Sequence, residues 1–162
     1  MSRTRSTRRA AFAATALLAG TAAVVAVAPA ASADQTLHLT TVKVSDQSTE
    51  LDLGAPGAST GDTEIFVDEV QRRGKAVGSA AGSCTVALVS ETRLVGLCTT
   101  TILLPEGTLT TQGAFDENPQ QGPQGYRWAV TGGTGRYTGT TGEAIGTFRP
   151  DSDIIDVVIR LR

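Results

Sequence analysis

Histidine is almost missing from this chain of 162 residues: His38 is the only one. A lone histidine with no cysteine or carboxylate cluster beside it makes a poor zinc site. A Ser-His-Asp triad would have to use His38, and no serine sits in a nucleophile-elbow context, which argues against hydrolase chemistry of that type. Positive charge is scarce beyond residue 33. Four of the 14 basic residues, Arg3, Arg5, Arg8 and Arg9, crowd the first nine positions, while all 16 acidic residues come later. Residues 34–162 therefore carry ten basic against sixteen acidic side chains, a net charge of −6. That balance argues against nucleic acid and anionic membranes as partners. Helical periodicity is hard to find after residue 33, and no later apolar run is long enough to span a bilayer as a helix.

Two motifs lack the parts their chemistry needs. Gly132–Gly135 looks like a phosphate-binding loop, yet no Gly-Lys-Ser/Thr and no helix-forming run follows it, and such loops need a helix N-terminus. Asp151, Asp153 and Asp156 lack the glycine and glutamate of a calcium loop. A solvated turn is the expectation for them and for the basic cluster Arg72-Arg73-Gly74-Lys75. No metal and no cofactor is expected.

The first 33 residues have the pattern of a secretory signal. The arginines form a positive n-region, Ala10–Val27 an apolar h-region, and Ala31-Ser32-Ala33 a cleavage site. Retention as a membrane anchor is the alternative. Thr7-Arg8-Arg9 with Phe12 loosely matches a twin-arginine signal, with Phe12 one place late. The expectation is a secreted, extracellular protein starting at Asp34, one domain over 34–162, with no membrane contact after cleavage.

What remains is rich in threonine, β-branched residues and glycine. Eight strands are predicted: 37–44, 63–70, 76–89, 93–104, 107–115, 125–131, 142–149 and 154–161. Each is bounded by turn residues such as Pro105-Glu106-Gly107. Eight short antiparallel strands close into a barrel, with the first strand pairing the last, which removes exposed edges and leaves room for one small ligand. The chain is organised around Ala129–Gly146, which holds Gly132, Gly133, Gly135, Gly139, Gly142 and Gly146. It reads as a strand, a tight corner and a returning strand. Gly132, Gly133 and Gly135 are its structural turn, with Gly133 or Gly135 at positive φ.

Cys84 and Cys98 are the only cysteines. With Val89–Arg93 as a hairpin loop, the pairs Leu88–Leu94, Val86–Gly96 and Cys84–Cys98 face one another, at disulfide distance for the last. A reactive Cys84 thiol is the alternative. Asp68-Glu69 could be a paired acid and base, but adjacent strand residues point to opposite faces, so at most one faces an interior. By the same alternation Tyr126 and Trp128 share one face, and Arg127 and Ala129 the other. Either face could line a cavity.

Three ordered motifs carry a family resemblance: GSAAGSCTV from Gly78 to Val86, GTLTTQGAF from Gly107 to Phe115, and WAVTGGTGRYTGTTG from Trp128 to Gly142. Together they resemble the allene oxide cyclase barrel family and its dirigent relatives. The resemblance implies an eight-stranded antiparallel barrel with an apolar lumen, often trimeric. It also implies cofactor-free activity in which a reactive small molecule is ring-closed or steered by positioning. Cys84 falls at the plant cyclases' pocket cysteine. Thr41 stands where they have a strand-one glutamate, Asp68 where they have a pocket asparagine, and Thr141 where dirigent proteins have an arginine. The expected function is a barrel that binds a small hydrophobic molecule and steers its isomerisation or cyclisation. A lipocalin-like binder and a structural or inhibitory module acting through its surface are the alternatives. Asp68, Arg127 and Tyr126 are the expected ligand anchors, although Arg127 and Tyr126, on opposite faces, exclude each other.

Overall fold

The computed structural model describes residues 34–162; the expected signal, 1–33, lies outside them. The strands are β1 (Gln35–Lys43), β2 (Thr49–Leu51), β3 (Thr63–Arg72), β4 (Lys75–Val89), β5 (Leu94–Leu104), β6 (Gly107–Glu117), β7 (Tyr126–Gly133), β8 (Gly142–Phe148) and β9 (Ile154–Leu161). All pairings are antiparallel. From β3 to β9 each strand pairs with the next, β9 pairs with β1, and β1 pairs with β3, which closes an eight-stranded barrel. The three-residue β2 lies outside this ring, paired only with β3. Its residues are all exposed, so it has no alternation by which sequence could reveal it.

The hairpins follow their turn residues. Arg73 and Gly74 both take positive φ between the paired ends Arg72 and Lys75, the two-residue turn that matches strand twist. The basic cluster is thus a turn, as expected. The β4–β5 hairpin departs from the simple register. Val86 pairs Gly96 and Cys84 pairs Cys98 as anticipated, but Leu88 pairs Val95 rather than Leu94. A bulge between Val86 and Leu88 absorbs one residue. Cys84 and Cys98 are joined by a disulfide with Cα atoms 4.1 Å apart. Closing a loop of this length is worth about 3 kcal/mol on the chain-entropy estimate. Urea unfolding with and without reductant should therefore differ by about that amount, and coincident curves would show that the bridge adds nothing.

Between the bulges, side chains alternate between lumen and outside. At one end the lumen is solid: Leu37, Val70, Leu104, Leu109, Val130, Ile159 and Leu161 pack around Tyr137, which is 1% exposed. Tyr137 sits on a short 3-10 turn, Gly135–Tyr137. Gly132 and Gly133 are not in that corner, contrary to the sequence reading. They still pair with Thr110 and Leu109 of β6, so β7 runs two residues further and turns at Thr134. Gly135 alone of the three has positive φ, +60°. A three-residue 3-10 turn is no helix N-terminus, so the stretch has no phosphate cradle.

Candidate functional site

Above the Tyr137 plug the barrel is hollow. Its cavity of about 490 Å³ opens at the opposite end, beside the loops that join β1 to β3, β6 to β7 and β8 to β9. Leu39, Ala80, Ile102, Ala144 and Val157 form its apolar lower wall. Five aromatic rings form the upper wall: Phe66, Phe115, Tyr126, Trp128 and Phe148. The sixth aromatic residue among those described is Tyr137 beneath them. A chain poor in aromatics has therefore placed nearly all of them around one space.

Glycines on neighbouring strands let these rings lie flat along the wall. A β-carbon at Gly82, Gly96, Gly113 or Gly146 would collide with Phe66, Phe115, Trp128 or Tyr126 respectively. Tyr126 and Trp128 stack, with centroids 3.9 Å apart and planes 20° apart, and Phe148 meets Tyr126 edge-on. The Trp128 indole N–H donates to the Ala114 carbonyl at 3.1 Å. That bond fixes the ring and leaves its face to the lumen.

Asp68 is the buried carboxyl within this wall, 9% exposed, on β3 beside Val70 and Phe66. Burial pushes its pKa above the ordinary carboxylate range; a hydrogen bond from the Thr41 hydroxyl pulls it back, Glu64 pushes it further up, and Lys43 pulls it down. Burial, and then the charge of Asp68, push the Tyr126 phenol up, so it stays protonated. Carboxylate and phenol therefore share one apolar space: an acceptor that can take a proton and a donor that keeps one. The Thr100 hydroxyl, also on the cavity wall, is buried and has no hydrogen-bond partner among the described residues.

Of the three anchors expected from sequence, Asp68 and Tyr126 come together in the lumen. Arg127 does not. Strand alternation turns it outward, where its side chain is 62% exposed and paired with Glu143 on β8. His38 and Glu69 are exposed on the outer face. Asp156 binds Arg149 through two hydrogen bonds. Among the described residues no group of three or more His, Cys, Asp or Glu is placed to hold a metal ion. Sequence reasoning missed Phe66, Phe115 and Phe148, together with the carboxylates at the mouth, Glu50, Glu64 and Glu117; Asp153, expected only as part of a solvated turn, also lines the mouth. The parity of β3 could have found two of them, since Glu64, Phe66 and Asp68 alternate onto one face.

The allene oxide cyclase barrel-like domain profile matches residues 39–154, nearly the whole of this barrel. The chain belongs to that family. Among solved structures it is similar to one described as a pyocyanin demethylase, at 29% identity and a TM-score of 0.68, covering 79% of this chain and 100% of the other. It is also similar to the Diels–Alderase AbmU from Streptomyces koyangensis (19% identity, TM-score 0.67, 80% and 63% covered). A third is the pterocarpan synthase dirigent protein GePTS1 (18% identity, TM-score 0.64, 80% and 84% covered). The last two likenesses concern the fold. No curated protein matches the chain by sequence. Thr41 and Asp68 line the lumen, Cys84 lines it as half of the disulfide, and Thr141 is exposed.

Proposed function

We propose that this allene oxide cyclase-like barrel binds one small planar aromatic molecule in its lumen and steers an isomerisation or ring closure of it by moving a proton, without a cofactor. The observation that carries this reading is the placement of one buried carboxyl, Asp68, within a cavity walled by five aromatic rings. The volume suits a small organic ligand. Flat ring faces and a stacked pair favour a flat guest. A purely storing lumen would need no carboxyl at this depth, where its burial costs free energy. A protein acting only through its surface would gain nothing from a hollow interior. The neighbours named as a demethylase, a Diels–Alderase and a pterocarpan synthase are all named for work on small molecules, which supports a small-molecule role here. In the proposal the working form is the secreted domain 34–162, assembled as the trimer that its family suggests.

Trp128 is the chain's only tryptophan, so intrinsic fluorescence reports the lumen wall directly. Acridine added at pH 8, where it is neutral, should quench that fluorescence saturably with one site per chain. Quenching that rises linearly with concentration, with no plateau, would mean that the rings meet acridine only by collision, and the lumenal reading would fall.

A further inference from the structure

The charges around the lumen are of nearly one sign. Glu50, Glu64, Asp68, Glu117 and Asp153 line the cavity, and Lys43 is the single basic residue on it. Lys43 is already committed: its ammonium donates to Glu64 at 2.6 Å. A groove continuous with the mouth shares Glu50 and Glu64 and adds Asp52 and Asp62, with no basic residue. The other nine basic residues described line neither space. Arg93, Arg127 and Arg149 each pair with a carboxylate, Asp116, Glu143 and Asp156, as Arg72 does with Glu106 at the plugged end. Arg72, Arg73, Lys75, Arg136, Arg160 and Arg162 lie at the plugged end, on the β3–β4 turn, on the Tyr137 turn and at the end of β9. The barrel is thus polarised along its axis, negative at the open end and positive at the closed one. Such a field draws cations to the mouth and repels anions from it.

Resting on the lumenal binding reading, we propose that the guest is a cation: a planar aromatic with a permanent positive charge, such as an N-alkylated nitrogen heterocycle. Three features of the cavity fit that chemistry. Aromatic faces attract a delocalised cation, more strongly when water is excluded. Among the described residues Asp68 and Glu117 have no ion-pair partner, so a bound cation would supply the missing counter-charge. The buried Thr100 hydroxyl, unpartnered on the same wall, is an acceptor for a polarised C–H or N–H of the guest. A metal ion does not fit, because no three of these carboxylates converge among the described residues. A fatty-acid carboxylate would meet a ring of like charges.

Three probes of one ring system separate the possibilities: N-methylacridinium as the cation, acridine at pH 8 as the neutral form, and acridine-9-carboxylate as the anion. Each is titrated against Trp128 fluorescence at low and high ionic strength. The cation should bind about tenfold or more tighter than acridine, a margin typical of one desolvated cation–aromatic contact with a nearby charge. The carboxylate should bind weakest. The margin between cation and acridine should shrink as salt is raised. Asp68→Asn and Glu117→Gln should each narrow it, because each removes one negative charge from the lumen. Equal binding of cation and acridine, or tightest binding of the carboxylate, overturns the charge assignment and leaves the lumenal reading standing. Binding of none of the three overturns both.

Discussion

Gly133→Val should cost the barrel about 3 kcal/mol or more, at the upper end of what overpacking does to a well-filled interior. The β-carbon alone would come within 2.6 Å of the Thr108 carbonyl oxygen, 2.7 Å of the Tyr137 β-carbon and 2.8 Å of the Tyr137 carbonyl oxygen. None of these atoms can swing away. Thr108 is held in the β5–β6 hairpin, where its carbonyl accepts the Thr134 amide at 2.9 Å. Tyr137 is the buried plug itself, its own carbonyl held by the Thr140 hydroxyl at 2.8 Å. Gly135→Val adds a second penalty, since φ there is +60° and a β-carbon would approach the Glu106 carbonyl oxygen at 2.5 Å. Two neighbours act as controls that separate crowding from backbone conformation. Gly139 also has positive φ but open space around it, so Gly139→Ala should cost only about 1–2 kcal/mol, the left-handed penalty of an L-residue. Gly132 has neither problem, its nearest atom being the Thr110 hydroxyl at 3.7 Å, so Gly132→Ala should fall within about 1 kcal/mol of the parent. Urea unfolding of the four variants should give that order. Equal midpoints for Gly132→Ala and Gly133→Val would show that the plug yields freely.

The fold was legible because its strands announce themselves twice, once by alternation and once by the glycine and proline between them. All eight barrel strands appear within a few residues of their predicted positions. The closure of β1 on β9 follows from the β-rich last strand needing a partner. What was not legible came from events that alternation cannot show. The bulge at Ala87 shifts the β4–β5 register by one residue without any proline or glycine to mark it. Gly132 and Gly133 read as turn residues because glycine usually marks turns, whereas here they stay in a strand so that the plug can pack close. The site was half legible for a similar reason. Sequence showed that Tyr126 and Arg127 must oppose each other, but choosing between them needed the barrel's inside. Five rings scattered over four strands converge only once the sheet closes. The acidic mouth depends on the same closure, since Glu50, Glu117 and Asp153 are far apart along the chain.

Asp68→Asn should make the protein more stable at neutral pH and nearly inert in proton transfer. Burial raises the Asp68 pKa above its ordinary 3.8, so the folded state holds this proton more tightly than the unfolded chain. Linkage then fixes the sign. Stability falls as pH rises from the unfolded to the folded pKa, and above the folded value the full cost of a buried charge remains. Asparagine keeps the shape without the charge. The variant should therefore melt at a higher temperature than the parent at pH 7, and the advantage should shrink as pH falls and vanish well below the ordinary 3.8, where Asp68 is protonated in both states. The functional loss has the opposite direction. A suitable probe is 9-methylacridine, whose methyl protons become exchangeable when one leaves carbon and the ring nitrogen gains a proton. In the proposed role the Asp68 carboxylate takes the methyl proton as the ring nitrogen takes a deuteron from heavy water. The reverse step releases the deuteron from nitrogen to solvent and delivers a deuteron from the exchanged Asp68 carboxyl to carbon, while Tyr126, kept protonated, hydrogen-bonds to the guest. Deuterium uptake followed by mass spectrometry should fall by about 10²–10⁴-fold in Asp68→Asn, the usual worth of a positioned general base. In the parent, uptake should rise with pH through the elevated Asp68 pKa, because only the carboxylate accepts a proton. Destabilisation of the variant at pH 7 would show that burial of the charge does not govern this site, and exchange as fast as the parent would show that Asp68 is not the base. The gain in stability and the loss of exchange belong to the same carboxyl, kept at a folding cost in the place where its charge can act on a bound ring.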